Sequence, residues 1–472
     1  MAAASSLLLL LLLLVAPPFS LAAFRPSPRT NKYVAQAVRS IIKNTAKDYL
    51  KDKVNDGVQD VAGGSNNVDG RELGSSAAAS YGALTFELSV GNPPQSLSVV
   101  MDITSEIVWA QCDDPCLGCV RQTPPGTPTF LSDNSASFAK ILCNDPSCQS
   151  VIPDDCSAIG DLCGYTEEFF RSGKTSGYLA NEKFSFGTTV FPDMLFGCGN
   201  EIILPELGGA SGFAGFSRGP LSLVSQLQIS EFSYLIALPD DSGNSKSSLS
   251  WSWDDDALTP KGSGSTPLLV PTAKQNPYWY YVRLTGLEVD GQPLTDIPAG
   301  TFDVGPDGSG GVFLSTTLPV TYLEEAGYNV LRSELISRIK AQGVDPTNAA
   351  DDIYHLCYST LEFVDAKVPT LALVFDGSDA VMELSVENYF FRLADGQTCL
   401  TILPSNGGSV LGSLLQVDTT MTYHINADGT GMLTFETAAA ATAAGASPTA
   451  KAHRPLVVVI ISSLLAAWGL SL

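Results

Sequence analysis

Two segments of the sequence place hydroxyl or carboxyl side chains directly after an apolar strand. The first, Val99–Trp109, contains Asp102, and the second, Gly310–Leu323, contains Ser315 and Thr316. A carboxyl group in such a turn can act as a general acid or base. A serine or threonine hydroxyl acts as a nucleophile only when a neighbouring base activates it. Asp102 also has a simpler interpretation, as a hydrogen-bonded aspartate that stabilises its turn.

No base is in a position to activate Ser315 or Thr316. The sequence contains three histidines. His355 lies beside Cys357 in a structural block, His424 belongs to a late strand, and His453 lies in the C-terminal tail. The sequence therefore does not favour serine-type nucleophilic catalysis. No cysteine–histidine spacing indicates zinc, and we expect neither a metal nor another cofactor.

A series of short motifs resembles the pepsin family of aspartic peptidases, specifically its nepenthesin-like plant branch. The motifs follow the family's order: W-A-Q-C at 109–112, F-G-C-G at 196–199, S-R-G-P-L-S-L at 217–223, F-S-Y at 232–234, Y-Y-V at 280–282 and V-L-G at 410–412. The resemblance extends from Tyr81 to Phe435. It implies an all-β, bilobal pepsin-like fold with few short helices.

The catalytic residues of this family are two aspartates, each in a strand–Asp–Thr/Ser–Gly segment of one lobe. The two carboxyl groups share one proton while they activate water. By resemblance, Asp102 is the first aspartate, and Ser315 occupies the position of the second. No acidic residue lies between Asp307 and Glu324, so no small shift of the alignment restores the missing carboxyl group.

The residues around both positions also depart from the family pattern. Ile103 and Thr104 replace the threonine and glycine after the first aspartate, and Thr317 replaces the second glycine. The flap motif is F-F-R-S-G at 169–173, so Phe169 stands where the family has a tyrosine. Loss of one general acid–base partner costs about 10²–10⁴ in rate. These departures together predict impaired proteolysis.

Ten cysteines follow the N-terminal apolar segment, which suits an oxidising compartment and five disulfides. The family usually has a sixth pair, which is absent here. Leu235 stands at the position of its first cysteine, and no cysteine follows Cys399, where the second would lie. The resemblance implies the pairs Cys112–Cys116, Cys119–Cys198, Cys143–Cys163, Cys148–Cys156 and Cys357–Cys399.

The composition fits a loop-rich β protein, since 16% of residues are charged and the chain has 42 glycines and 29 prolines. Patterning predicts strands at Leu84–Val90 and Leu97–Met101 and helices at Ser222–Leu227 and Glu324–Ile339. A polar, serine-rich stretch divides two β-rich halves. We therefore expect an N-terminal β lobe with a cysteine-rich insertion at 77–240, a linker at 241–265 and a C-terminal β lobe at 266–436.

The two ends of the chain have patterns that predict targeting signals. Residues 1–23 contain an unbroken leucine run and then small residues, which predicts a secretion signal. At the other end, a low-complexity spacer at 437–455 precedes an apolar tail at 456–472. This pattern predicts a GPI-anchor signal with attachment near Gly445, Ala446 and Ser447; a plain tail anchor is the alternative. Either places the protein on the outer face of a membrane.

Residues 24–76 differ from the acidic remainder of the chain. Positions 24–71 hold nine bases and five acids, whereas the whole chain has a formal net charge of −23. Apolar residues recur there at helical spacing, which predicts either a pro-segment docked across a cleft or a solvated leader. The overall acidity argues against nucleic acid as a partner.

Two functions follow from the resemblance and its departures. The first is a monomeric, non-proteolytic cell-surface protein that binds a peptide or protein in its interlobe cleft or at the rim of the cleft. Protein recognition is expected because plant relatives without catalytic residues include inhibitors of microbial glycosidases. The alternative is an active aspartic endopeptidase with an atypical site.

Overall fold

The computed structural model describes residues 84–113, 126–151, 161–169, 173–187, 189–203, 210–237, 247–253, 264–349, 354–377, 379–393, 396–426 and 428–437. These residues are mostly β, with few short helices, as the sequence predicts. The signal, the leader, most of the flap motif, the GPI attachment region and the tail lie outside the described residues. So do Cys116, Cys119 and Cys156.

The first half of the chain contributes eight strands to one sheet. They are β1 (Thr85–Val90), β2 (Gln95–Asp102), β3 (Trp109–Gln111), β4 (Ala139–Lys140), β5 (Gly164–Phe169), β6 (Gly173–Phe186), β7 (Thr189–Ile203) and β8 (Gly212–Gly215). The strand order is β1-β2-β8-β3-β7-β6-β4, and β5 pairs with β6 as a hairpin. Helices α1 (Pro146–Val151) and α2 (Leu223–Gln226) accompany this sheet.

Five strands from both halves form a second sheet. They are β9 (Glu231–Leu235), β10 (Ser248–Ser252), β11 (Ser265–Leu268), β24 (Thr419–Ile425) and β25 (Gly431–Thr437), in the order β10-β9-β24-β25-β11. The linker expected at 241–265 therefore contains a strand. Leu249 and Trp251 alternate with serines in β10, and both are buried, which gives this polar stretch an apolar face that joins the sheet.

The remaining strands of the second half form three smaller sheets: β12-β15-β23-β16-β22, β14-β13-β18-β19 and β17-β21-β20. Their bounds are β12 (Tyr281–Val282), β13 (Leu284–Val289), β14 (Gln292–Pro293), β15 (Val312–Leu314), β16 (Thr321–Glu324), β17 (Cys357–Ser359), β18 (Leu371–Phe375), β19 (Val381–Leu384), β20 (Phe390–Arg392), β21 (Gln397–Leu400), β22 (Ile402–Ser405) and β23 (Ser409–Leu411). Helices α3 (Glu325–Lys340), α4 (Thr360–Phe363) and α5 (Val386–Tyr389) lie among them.

One four-strand arrangement occurs in each half. Strand β2 pairs in parallel with β8, β8 pairs antiparallel with β3, and β3 pairs in parallel with β7. Strands β15, β23, β16 and β22 are joined in the same way. The repeat places the ends of β2 and β15 at equivalent points: Asp102 is the last residue of β2, and Ser315 directly follows β15.

Buried aromatic side chains join the halves at the shared sheet. The ring of Phe232 in β9 stacks on that of Tyr423 in β24, with centroids 4.6 Å apart. Tyr280 lies 4.8 Å from Tyr423 between ring centroids. The hydroxyl of Tyr234 donates a hydrogen bond to Gln416 Oε1 at 2.5 Å. Large, fully buried rings contribute strongly to packing, so the two lobes share one core at this junction.

The disulfides correct the predicted pairing at four places. Within the described residues the bonds are Cys112–Cys198, Cys148–Cys163 and Cys357–Cys399. The third bond, Cys357–Cys399, confirms the pair that the resemblance implies. The first two show that Cys112–Cys116, Cys119–Cys198, Cys143–Cys163 and Cys148–Cys156 are wrong.

Strand register explains why Cys112 bonds to Cys198. Cys112 directly follows β3, which runs parallel to β7 with Ala110 opposite Cys198. The Cα atoms of the two cysteines are therefore 5.3 Å apart, within the range a disulfide spans.

The two helices that the sequence predicts are present, whereas α1, α4 and α5 were not predicted. Helix α2 begins after Ser222, whose hydroxyl accepts a hydrogen bond from the backbone N–H of Ser225. Helix α3 begins and ends one residue later than the pattern indicates. Among the residues described above, no helix has the length and apolar character needed to cross a membrane.

Candidate functional site

Asp102 and Ser315 occupy equivalent positions in the two halves. Trp109 pairs with Phe213 across the antiparallel step of the first repeat, and Tyr322 pairs with Val410 across that of the second. Asp102 lies seven residues before Trp109, and Ser315 lies seven residues before Tyr322. The strand pairing therefore places Ser315 at the position that Asp102 has in the first half.

A close backbone approach confirms this equivalence. A Cβ atom on Gly215 would lie 2.6 Å from the carbonyl oxygens of both Ser105 and Ile107. A Cβ atom on Gly412 would lie 2.8 Å from Leu318 O and 2.3 Å from Val320 O. These contacts fall three and five residues after Asp102 and after Ser315, and any side chain at either glycine would displace the loop.

The carboxyl group of Asp102 is buried and bonded on both oxygens. Its Oδ1 accepts hydrogen bonds from the backbone N–H of Thr104 at 2.7 Å and from the Thr104 hydroxyl at 2.6 Å. Its Oδ2 accepts a hydrogen bond from the hydroxyl of Thr317 at 3.2 Å. Burial raises the pKa of Asp102, and the hydrogen bonds from Thr104 and Thr317 offset part of that rise.

Ser315 takes part in the turn of the second half and has no bond to Asp102 among the described contacts. Its hydroxyl oxygen accepts a hydrogen bond from the backbone N–H of Leu318 at 3.1 Å. The hydroxyl of Thr317 lies 3.4 Å from Ser315 Oγ and also donates to Asp102. A threonine hydroxyl thus stands between the one carboxyl group and the serine.

A second hydroxyl, that of Thr316, also joins the two turns directly. Thr316 Oγ1 donates to the carbonyl oxygen of Met101 at 3.0 Å and accepts from the backbone N–H of Ile103 at 3.3 Å. Thr316 is fully buried. Ile103 occupies the equivalent position in the first half and has no hydroxyl, so its side chain cannot return this bond. Among the described contacts, the hydroxyl groups that link the two turns therefore belong to the second half.

Three further residues contact the turn that follows Asp102, and the motifs did not indicate them. The indole N–H of Trp279 donates to Thr104 O at 2.9 Å. The amide of Asn276 donates to Glu106 Oε1 at 2.7 Å. Glu167 in β5 accepts from the backbone N–H of Glu106 at 2.7 Å. The first two contacts cross from the second half to the first.

A signal for Glu167 was present in the sequence. In β5, buried Tyr165 and partly buried Glu167 alternate with exposed Thr166 and Glu168. An acidic residue at an inward position of an alternating strand requires a partner. Phe169 ends β5 opposite Gly173, and the rest of the flap motif lies outside the described residues.

The two histidines among the described residues lie in other elements, as the sequence indicates. His355 lies two residues before β17. Burial and the nearby Arg332 lower the pKa of its imidazole. His424 lies in β24, with its Nδ1 2.9 Å from a carboxylate oxygen of Glu231. In the described part of the chain, no three histidine, cysteine, aspartate or glutamate residues are arranged to hold a metal ion.

Both halves of the chain match the sequences of known proteins. Residues 85–250 match a family described as xylanase inhibitor N-terminal, and residues 279–435 match its C-terminal counterpart. Aspartic proteinase nepenthesin-1 of Nepenthes gracilis is 32% identical over 350 residues, which cover 74% of this chain and 76% of that protein. The chain belongs to the plant family of pepsin-like aspartic proteases. The resemblance inferred from the motifs is therefore confirmed.

Other similar proteins extend the comparison. Protein ASPARTIC PROTEASE IN GUARD CELL 2 of Arabidopsis thaliana is 31% identical over 362 residues, covering 75% of this chain and 71% of that protein. The crystal structure of edgp aligns with a TM-score of 0.60 and 18% identity, covering 76% of this chain and 93% of that one. Basic 7S globulin from soybean aligns with a TM-score of 0.54 and 17% identity, covering 75% and 91%. The two structures show a shared fold.

The Thr316 link predicts a measurable loss of stability. Replacing Thr316 with valine keeps the shape of the side chain but leaves the N–H of Ile103 and the carbonyl of Met101 without this partner. A buried, unsatisfied group costs about 1–3 kcal/mol, so we expect the free energy of unfolding of Thr316→Val to fall by that amount in urea denaturation.

The exposed Thr166→Val in β5 is the matched control, and its free energy should change by less than about 0.5 kcal/mol. An equal effect of the two substitutions would contradict the role assigned to Thr316.

Proposed function

We propose that this protein is a non-proteolytic member of its family that binds a peptide or protein in the interlobe cleft or at its rim. The observation that carries the proposal is the serine at position 315. It stands at the point of the second repeat that corresponds to Asp102 in the first.

The chemistry of the family requires two carboxyl groups that share a proton. A serine hydroxyl does not ionise at acidic pH and cannot supply the second group. In addition, the hydroxyl of Thr317 contacts both Asp102 and Ser315, where the family pattern has a glycine without side-chain atoms. A lone, buried carboxyl group bonded by Thr104 and Thr317 suits a structural role better than general acid–base catalysis.

The family models support a protein as the bound partner. Both halves match models described by the words xylanase inhibitor, and an inhibitor of an enzyme acts by binding another protein. The retained strand repeat and shared core supply a rigid frame for such binding. We propose a secreted carbohydrate-degrading enzyme as the partner class to examine first, beginning with microbial xylanases.

The decisive experiment measures proteolysis by the purified mature protein. We expect no cleavage of casein or quenched fluorescent peptides between pH 2 and pH 6. A variant that combines Ser315→Asp, Ile103→Thr, Thr104→Gly and Thr317→Gly restores both family turns. Its cleavage rate should exceed that of the unmodified protein by at least about 10².

The control adds Asp102→Asn to the four-substitution variant and should abolish the restored activity, because one carboxyl group is again missing. Cleavage by the unmodified protein that Asp102→Asn abolishes would overturn the proposal. It would favour the alternative, an aspartic endopeptidase with an atypical site.

We also propose that the protein is secreted and held at the cell surface by a GPI anchor. The support is the sequence of residues 1–23 and of 437–472. Treatment of intact cells with a phosphatidylinositol-specific phospholipase should release the protein into the medium. Retention in the membrane fraction would contradict the GPI anchor and favour a tail anchor.

A further inference from the structure

Strands β5 and β6 form a hairpin around the flap motif at 169–173. A carboxyl group of this flap hairpin bonds to the turn that follows Asp102. Glu167 lies in β5, and its Oε1 accepts a hydrogen bond from the backbone N–H of Glu106 at 2.7 Å. Its Oε2 lies 3.0 Å from the hydroxyl oxygen of Ser105. Ser105 is buried. Both oxygens of Glu167 are therefore in contact with a turn 61 to 62 residues earlier in the chain.

The hydrogen-bonding geometry of Ser105 accommodates a proton on Glu167. The hydroxyl oxygen of Ser105 also lies 3.0 Å from Ile107 O, and a carbonyl oxygen can only accept. A serine hydroxyl has one hydrogen to donate. Both contacts are fully satisfied if Ser105 donates to Ile107 while a neutral Glu167 donates from Oε2 to Ser105.

Among the titratable groups around Glu167, two acids favour its neutral, protonated form. Asp102 at the end of β2 and Glu106 in the following turn are both acidic and act on Glu167 electrostatically. Tyr165 lies on the same strand, with its pKa raised by burial. From β6, the nearby Lys174 pairs with Glu201 of β7 at 3.3 Å.

The electrostatic cost of charging Glu167 has two sources. Burial is the larger cause, and the negative charges of Asp102 and Glu106 add to it. Together they raise the pKa of Glu167 to about 8, despite its contacts with the backbone N–H of Glu106 and the hydroxyl group of Ser105, which lower it.

We propose that Glu167 is a protonated latch, which in its neutral form holds the flap strand β5 against the turn 103–107 and loosens this contact when it loses the proton. The same turn bonds to the second half through Trp279 and Asn276. Opening of the latch would thus alter the contacts between the two halves beside Asp102. The proposal does not depend on the proposed binding function, because it concerns a contact within the protein.

The first test compares stability as a function of pH. Between about pH 4.5 and 8 the folded protein retains a proton on Glu167 that the unfolded chain releases. Stability therefore falls as pH rises through this window, and one proton changes the unfolding constant by up to about tenfold per pH unit. Glu167→Gln imitates the neutral acid and should remove this component.

Urea denaturation of both proteins at intervals from pH 5 to pH 9 measures the difference. We expect Glu167→Gln to match the unmodified protein at pH 5 and to be the more stable of the two at pH 9. The exposed neighbour Glu168 supplies the matched control, and Glu168→Gln should follow the unmodified protein throughout. Parallel curves for Glu167→Gln and the unmodified protein would overturn the proposal.

The second test does not require a variant of Glu167 to fold. The indole N–H of Trp279 donates to Thr104 O in the same turn, so its NMR signal reports on the latch. In the unmodified protein this signal, assigned with Trp279→Phe, should titrate with a midpoint near the pKa of about 8. A signal that does not change between pH 6 and pH 9 would overturn the proposal.

Discussion

Hydroxyl groups of the second central turn bond it to the first where the two lobes meet, and the one that reaches the backbone is fully buried. Thr316 bonds to the backbone on both sides of Asp102, at Met101 and at Ile103. This link uses a hydroxyl and backbone groups and requires neither catalytic carboxyl group. A pepsin-like protein can therefore lose the second aspartate without losing the contact that positions its turns. The glycines at 215 and 412, which allow the backbone to pass each turn closely, are also retained.

The environment of Asp102 is consistent with a carboxyl group that now stabilises structure. Three hydrogen bonds from Thr104 and Thr317 reach its two oxygens, although the side chain is fully buried. A buried acid without such partners would be costly. The hydroxyl groups of Thr104 and Thr317 supply two of these three donors where the family pattern has glycines. They stabilise the lone acid and at the same time reduce the space between it and Ser315.

The sequence predicts the fold well where a structure depends on a pattern among neighbouring residues. The alternation in β1, the cap of α2 and the extent of α3 depend on neighbouring residues, and the structure agrees. The equivalence of Asp102 and Ser315 is also visible in the sequence, because each ends or directly follows an apolar strand and is followed by small hydroxyl residues. The interior of the predicted linker was harder to assign, because only two apolar residues distinguish β10 from a loop.

Long-range register explains what the sequence did not predict. The partner of Cys112 follows from the parallel pairing of β3 with β7, and nothing near Cys112 in the chain specifies it. Glu167 meets the Asp102 turn through the β5–β6 hairpin, and its role likewise follows from tertiary structure. In both cases the chemistry of the residue was clear, while its partner depended on the assembled sheet.

Calorimetric titration with pepstatin, a peptide inhibitor of aspartic peptidases, tests most directly whether the protein lacks a working pair of carboxyl groups. Nepenthesin-1 serves as the positive control at the same acidic pH. We expect no saturable binding to this protein at concentrations that saturate the control. One-to-one binding to the unmodified protein that disappears in Asp102→Asn would contradict this expectation.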